Sequence, residues 1–238
     1  MQNRLIIYIE DFEAAEAACD IIRKHPVIAF DMEGSNLGKN GNVSLIQIAI
    51  STEIVYIFDV LILGIRIFEK NTLLPILTDP TILKLCYDCR SDCATLVHCF
   101  RVHPYGFFYL QVVYTYVFQH RSDPYLKGYH KAMQALGHND IVLQNDLQSK
   151  KHFKAIWKTS SLSHAMLFHR PLPQMFVNYC AIDVVYLFKM YSSWHLSKRF
   201  VVRTTYQRFW KFISRKDKDF SSNNMARIDF GKYWDNKL

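Results

Sequence analysis

The sequence predicts an α/β domain with a mixed central β-sheet flanked by helices, followed by a helical C-terminal extension. Three observations carry this expectation. Short apolar runs of strand length alternate with segments of helical pattern along most of the chain. The runs between Val27 and Phe58 are separated by tight polar turns, which calls for hairpin-linked neighbours in the sheet. No internal repeat and no long linker divides the chain, so residues 1–196 are expected to form the main domain and residues 197–238 a basic, aromatic helical extension with a loose tail.

In chain order, Leu5 to Ile9 reads as a short first strand. Asp11 is placed to cap a helix reaching about Lys24, favoured by Ala14, Ala15, Ala17 and Ala18, and Pro26 ends it. Val27-Ile28-Ala29-Phe30 is a buried strand with Asp31 and Glu33 at its end. A polar turn from Gly34 to Asn42 reverses the chain, and Val43 to Ile50 returns with Gln47 inside it. Glu53 to Phe58 is a third strand, Thr72 to Leu77 a short helix closed by Asp79-Pro80, and Ile82 to Cys86 a further strand. Arg90 to Phe100 turns helical. Phe107 to Gln119, apolar and aromatic throughout, is expected to be a helix, with a loop over Arg121 to Gly128 and a short helix from Lys131 to Leu136 after it. Asp140 to Ser163 receives no assignment, although Lys150, Lys151, Lys154 and Lys158 fall there. Pro171 and Pro173 precede a long helix over about Gln174 to Leu196, and another covers about Phe200 to Ser214.

Composition bounds the function. Half of the 238 residues are hydrophobic and 15% are aromatic, enough for a substantial core. Lys and Arg number 29 against 21 acids, and the formal charge of +8 suits a polyanionic partner. The apolar run after Arg4 is too short for a secretory leader and is stopped by Glu10 and Asp11. No stretch approaches the roughly 18 apolar residues of a membrane span, so a soluble intracellular protein without a membrane partner is expected, in cytoplasm or nucleus. The cysteines then read as reduced. Cys86 and Cys89 form a C-x-x-C with Cys93, His98 and Cys99 close behind. Zinc is conceivable there, but no Gly-containing knuckle is present, and small buried thiols are the preferred reading.

Acids stand in three places where the apolar pattern does not want them. Residues two apart on a strand share a face, so Asp31 and Glu33 project together, and such a pair repels unless a cation lies between. A strand end that simply meets water gives the same pattern, so the rest of the chain must decide. Asp92 lies a turn into the helix that follows Cys86, with Asp88 four residues earlier. Asp88 also fits as an acid favouring the helix N-terminus. Tyr179 and Asp183, again four apart, share one face of the long apolar helix, where an acid needs a hydrogen-bonded partner or a metal.

An Asp-x-Glu strand end, an Asp in a later helix and a Tyr-x-x-x-Asp in a late helix, in this order, resemble the DEDDy-type 3′–5′ exonucleases, the superfamily of ribonuclease D and of the Werner-syndrome exonuclease domain. DMEGSNLGKNGNVSLIQIA and RPLPQMFVNYCAIDVVYL are most similar to the exonuclease 3′–5′ domain-containing, egalitarian-like group. The resemblance runs from about Leu5 to Tyr191 and implies a ribonuclease H-like fold. It implies that Asp31, Glu33, Asp92 and Asp183 bind two Mg²⁺ or Mn²⁺ ions and that Tyr179 orients the attacking water. The chain departs from the family pattern at Tyr87, often His, and at Tyr109, commonly Asp.

The chemistry agrees. Two divalent ions about 3.5–4 Å apart can cleave a phosphodiester, and hard cations need only oxygen ligands. No Walker-type loop and no nucleophilic triad is present. The expected partner is nucleic acid, RNA or DNA, entering as a single-stranded or frayed 3′ end. Met32, between the two acids, and Arg203, Arg208 and Lys211, in a segment where cations interleave with aromatics, are expected to touch it. The same segment also fits a helix docking its aromatic face on the domain. The alternative function is a nucleic-acid-binding adaptor of the same fold without catalysis.

Overall fold

The computed structural model describes residues 4–119, 123, 125–137, 139–159, 163–195 and 197–213. The polar tail expected after residue 213, part of the Arg121–Gly128 loop, and the side chains of Lys158 and Lys211 lie outside what is described. The elements in order are β1 (Leu5–Ile9), α1 (Phe12–Ile22), β2 (Val27–Ser35), β3 (Asn42–Ala49), β4 (Ile54–Asp59), α2 (Val60–Leu63), a 3-10 turn (Gly64–Phe68), α3 (Leu73–Thr78), β5 (Leu83–Cys86), α4 (Arg90–Phe100), β6 (Phe107–Tyr109), α5 (Leu110–Phe118), α6 (Tyr129–Gln134), α7 (Ile141–Thr159), α8 (Ser163–Phe168), α9 (Gln174–Ser193) and α10 (Lys198–Ile213). No described helix is long and apolar enough to cross a membrane.

Six strands form one sheet in the order β1-β4-β3-β2-β5-β6. The pairs β1–β4, β2–β5 and β5–β6 are parallel, while β3 runs antiparallel to β2 and β4. This is the mixed sheet with flanking helices that the alternation of runs predicts. Asp11 accepts from the Ala14 N–H at 2.8 Å and caps α1.

Strand alternation sorts the side chains into two layers. Ile28, Phe30 and Met32 of β2 join one core layer with α1, α3 and α4. Ala29 belongs to the other layer, with α7 and α9. Asp31 and Glu33 therefore share the α9 side. Met32, only 3% exposed, packs on the opposite side. This corrects the expectation that Met32 touches nucleic acid: lying between two acids in sequence places its side chain on the other face of the sheet.

Two further expectations are corrected. β2 continues through both acids to Ser35, because β3 pairs with it residue for residue: Asp31 faces Gln47 and Glu33 faces Leu45. Gly34 lies at a register shift, and a Cβ there would lie 2.2 Å from the Asn42 carbonyl oxygen, so the hairpin needs glycine. The segment expected as one helix from Phe107 splits into β6 and α5. Phe107 to Tyr109 pair in parallel with Lys84 to Cys86, and sheet pairing overrides a short apolar pattern that fits either element. The unassigned stretch after Asp140 is the long helix α7.

The C-terminal helix α10 packs on β6, α4 and α5. Val201 is fully buried in the α9-side layer, and the Thr205 hydroxyl accepts from the Tyr109 N–H at 3.2 Å.

Candidate active site

Three acids meet although β2 and α9 are far apart in sequence. Asp31, Glu33 and Asp183 each bring a carboxylate oxygen to within 4.8 Å of the others, the one group among the described residues with metal-ligand spacing. β2 presents two of them on one face, and α9, crossing that face, supplies the third. The Asp183 Oδ2 atom is buried and has no hydrogen-bond partner. A carboxylate oxygen in that state lacks a donor or a cation.

Asp92, 5% exposed, stands beside this trio and outside its spacing. It comes from α4, and its charge acts on Asp31. Its neighbour Asp88 turns away: in a left-handed backbone conformation (φ 58°), it accepts from the Tyr109 hydroxyl and from Arg90 Nε, both at 2.7 Å. Tyr87 donates to the Lys127 carbonyl at 2.9 Å. Both positions that depart from the family pattern thus hold the loop around Asp88.

Electrostatics single out the same acids. Burial, then the charges of Asp183, Asp92 and Glu33, push the Asp31 carboxyl well above the usual range, against the opposing charge of Lys150. Burial and Asp183 push Glu33 up to about 8, opposed by Lys150 and Lys154. Asp92 is raised by burial, then by Cys89, Asp88 and Glu33. Burial followed by Asp183, Glu33 and Asp31 raises the Tyr179 phenol too, which keeps its proton. The acids fit a divalent ion: they are crowded and oxygen-only, and one Asp183 oxygen is left without a partner.

One site residue was missed in the sequence. Lys150 of α7 is 1% exposed, and its Nζ lies 2.5 Å from Asp183 Oδ1. The ammonium also sits over the rings of Tyr179 and Tyr129, 3.7 and 5.3 Å from their centroids. Its sequence signal is a lysine inside an apolar stripe. Leu143, Leu147 and Phe153 are buried at helical spacing, and Lys150 takes a core position among them. Three polar links pin α7 antiparallel to α9: Asp140 to Lys189 at 2.7 Å, Asp146 to Tyr186 at 2.6 Å, and Lys150 to Asp183. Phe153 closes the row against the Tyr179 ring, with centroids 4.5 Å apart.

Further cations lie on α6 and α7 around His130. Lys131, Lys151 and Lys154 are exposed on α6 and α7. Burial and the charges of Lys154, Lys150, Lys151 and Lys131 hold the His130 pKa below its ordinary value. On α10, Arg203 is exposed. Arg208 is half-buried on the side of Tyr109, Arg90 and Asp88, and burial lowers its pKa. The cysteines are all free thiols: Cys86 Sγ lies 2.8 Å from Cys89 Sγ, and no cysteine set has metal-ligand spacing among the described residues.

Comparison with known proteins bears on the same span. A family model described as 3′-5′ exonuclease matches residues 6–196. The piRNA biogenesis protein EXD1 of Xenopus laevis is 29% identical over 173 residues, 72% of this chain and 38% of that protein. Human EXD1 is 29% identical over 171 residues, covering 70% of this chain and 32% of its own length. The chain thus spans about a third of these relatives. Trypanosoma brucei RNase D in complex with RNA U12 superposes with a TM-score of 0.76 at 23% identity, over 96% of this chain and 77% of that one. Escherichia coli RNase D gives 0.63 at 18% identity, over 90% and 52%. At these identities the structural likeness establishes the fold.

Proposed function

The chain belongs to the 3′–5′ exonuclease family, and from that premise we propose that it is a divalent-ion-dependent 3′–5′ exonuclease that shortens single-stranded or frayed RNA. The observation that carries this reading is the meeting of Asp31, Glu33 and Asp183, with one buried Asp183 oxygen left without a partner. The choice of RNA draws support from the RNA held by the trypanosomal neighbour and from the piRNA-related relatives.

Asp31, Glu33 and Asp183 would hold the ions, Mg²⁺ or Mn²⁺, with Asp92 completing the set from α4. Bound divalent ions supply a deprotonated oxygen nucleophile near neutral pH and relieve charge on the leaving oxygen. The Tyr179 hydroxyl, which keeps its proton, orients the attacking water by hydrogen bonding. Lys150 holds Asp183 through one oxygen, and the other would be open to an ion. Lys131, Lys151 and Lys154 offer phosphate contacts beside the centre.

A second reading, an adaptor that binds nucleic acid without cleaving it, finds support in one observation: Lys150 already gives Asp183 a cation. A degradation ladder separates the two. With 5′-labelled RNA and DNA strands, we expect shortening from the 3′ end in Mg²⁺ or Mn²⁺. In EDTA, or after Asp31→Ala with Glu33→Ala, the strands should stay whole. Binding without shortening in every ion would establish the adaptor.

A further inference from the structure

Lysine is among the residues least often found fully buried, and burying its ammonium is costly unless the charge is matched. Lys150 is nevertheless 1% exposed, at a core position of α7 between Leu147 and Phe153. Its ion-pair partner is Asp183, at 2.5 Å. Two aromatic rings, Tyr179 and Tyr129, flank the ammonium and favour a cation there. The flanking links, Asp146 to Tyr186 and Asp140 to Lys189, fix the register of α7 on α9, so Lys150 is held in place by its own helix. Four acids crowd this end of the sheet, and Lys150 is the cation that opposes the rise of both Asp31 and Glu33.

We propose that Lys150 is a resident counter-ion of the acidic centre and that a divalent ion binds in competition with its ammonium for Asp183. The inference rests on the reading of these acids as ion ligands. In the ion-free protein the ammonium neutralises Asp183 and offsets its repulsion of Asp31 and Glu33. An ion arriving at the free Asp183 oxygen must share that carboxylate with a positive charge a few ångströms away. At such distances, in a partly buried site, like charges repel strongly enough to alter an equilibrium by a factor of ten or more. The centre therefore binds ions more weakly than its acids alone would, and stays folded without them. Lys150 acts as a positioning residue, through Asp183 and the Tyr179 ring.

The test uses Mn²⁺ alone as the probe, with no substrate. Lys150→Met keeps the length and the apolar stem and removes the charge. Lys150→Arg keeps a charge. Mn²⁺ affinity is read by electron paramagnetic resonance, and melting temperature is read in EDTA and in saturating Mn²⁺. Lys150→Met should melt below the parent in EDTA and bind Mn²⁺ at least roughly ten-fold more tightly. It should also gain more from Mn²⁺ in melting temperature than the parent does. Lys150→Arg should stay near the parent in all three. A merely structural lysine would lower stability without strengthening ion binding. Equal or weaker Mn²⁺ binding by Lys150→Met overturns the inference. So does a Lys150→Met chain that fails to fold even in Mn²⁺, because the ion should then offset the repulsion that the ammonium no longer does. A parent protein that binds no Mn²⁺ overturns the ion-ligand reading itself, and the inference with it. Mn²⁺ binding indifferent to residue 150 removes the inference alone.

Discussion

Each acid of the centre has a different relation to Lys150, and single substitutions should separate them. Glu33 carries a carboxyl raised to about 8 by burial and by Asp183. An acid raised on folding binds more protons in the folded than in the unfolded state. Its stabilising contribution is full below the unfolded value, near 4.3, and is lost as pH rises through the folded one. Ion-free protein should therefore lose stability between about pH 4 and pH 8. Glu33→Gln should remove part of that loss and raise the melting temperature in EDTA by a few degrees, about 1–2 kcal/mol. Asp183→Asn should lower it, because it strips Lys150 of its partner. Melts of the three proteins across this pH range decide the point, and equal shifts in the two variants would contradict it. Tyr179→Phe deletes a hydroxyl that keeps its proton and leaves the ring under Lys150. It should lower kcat by roughly 10²–10⁴-fold with Mn²⁺ affinity little changed, because orienting water matters in the transition state. Single-turnover cleavage at the parent rate would make the hydroxyl structural.

At the scale of elements, the strands were legible wherever apolar runs were bounded by turn residues, and the site acids were legible as charges in the wrong pattern. Asp183 on an apolar helix face is the clearest case. Two kinds of signal failed. Phe107 to Tyr109 continue an apolar run into α5, so no change of pattern marks where strand gives way to helix. α7 carries so many cations that its narrow stripe of Leu143, Leu147 and Phe153 does not stand out in the sequence, nor does Lys150 with it. The basic segment of α10, with aromatics between its cations, is the more conspicuous in the sequence. In the structure α10 covers β6 and α4, and Arg208 lies on its inward side, while α6 and α7 group their cations around His130, with Lys150 and Lys154 acting on Glu33. We therefore expect Lys131→Gln, Lys151→Gln and Lys154→Gln together to flatten the salt dependence of single-strand binding. With slopes near −0.7 per phosphate contact, the combined change should be roughly two units. Arg203→Gln should leave the slope unchanged, against a change of about 0.7 if it touched a phosphate. Filter binding across salt concentrations reads both, and the reverse ranking would return the track to α10.

For the molecule as a whole, the centre exists only while α9 stays seated on the sheet, and the sequence hides what seats it. Asp59, at the end of β4, is fully buried. It caps α2 through the Leu61 and Ile62 N–H groups at 3.1 and 3.3 Å and accepts from the Tyr8 hydroxyl. Its cationic partner is Arg170, four residues before α9 begins, whose Nη2 donates to Asp59 Oδ1 at 2.8 Å and to the Ser44 hydroxyl at 3.1 Å. Arg170 opens the RPLP stretch of the late motif, yet its contacts reach Tyr8 of β1, Ser44 of β3 and Asp59 of β4. Nothing in the pattern pairs Arg170 with Asp59, because the two are more than a hundred residues apart. Arg170→Met leaves Asp59 buried with its cation gone, which costs about 3 kcal/mol, or roughly 10 °C in melting temperature. Adding Asp59→Asn removes the stranded charge and keeps an acceptor for the α2 cap, so the double variant should recover part of that loss. The link to function is the start of α9. If Arg170 sets where Asp183 meets Asp31 and Glu33, Mn²⁺ affinity should fall in Arg170→Met and remain low in the double variant even as stability returns. Recovery of both together would make the Arg170–Asp59 pair a matter of stability alone, with α9 placed by its apolar face.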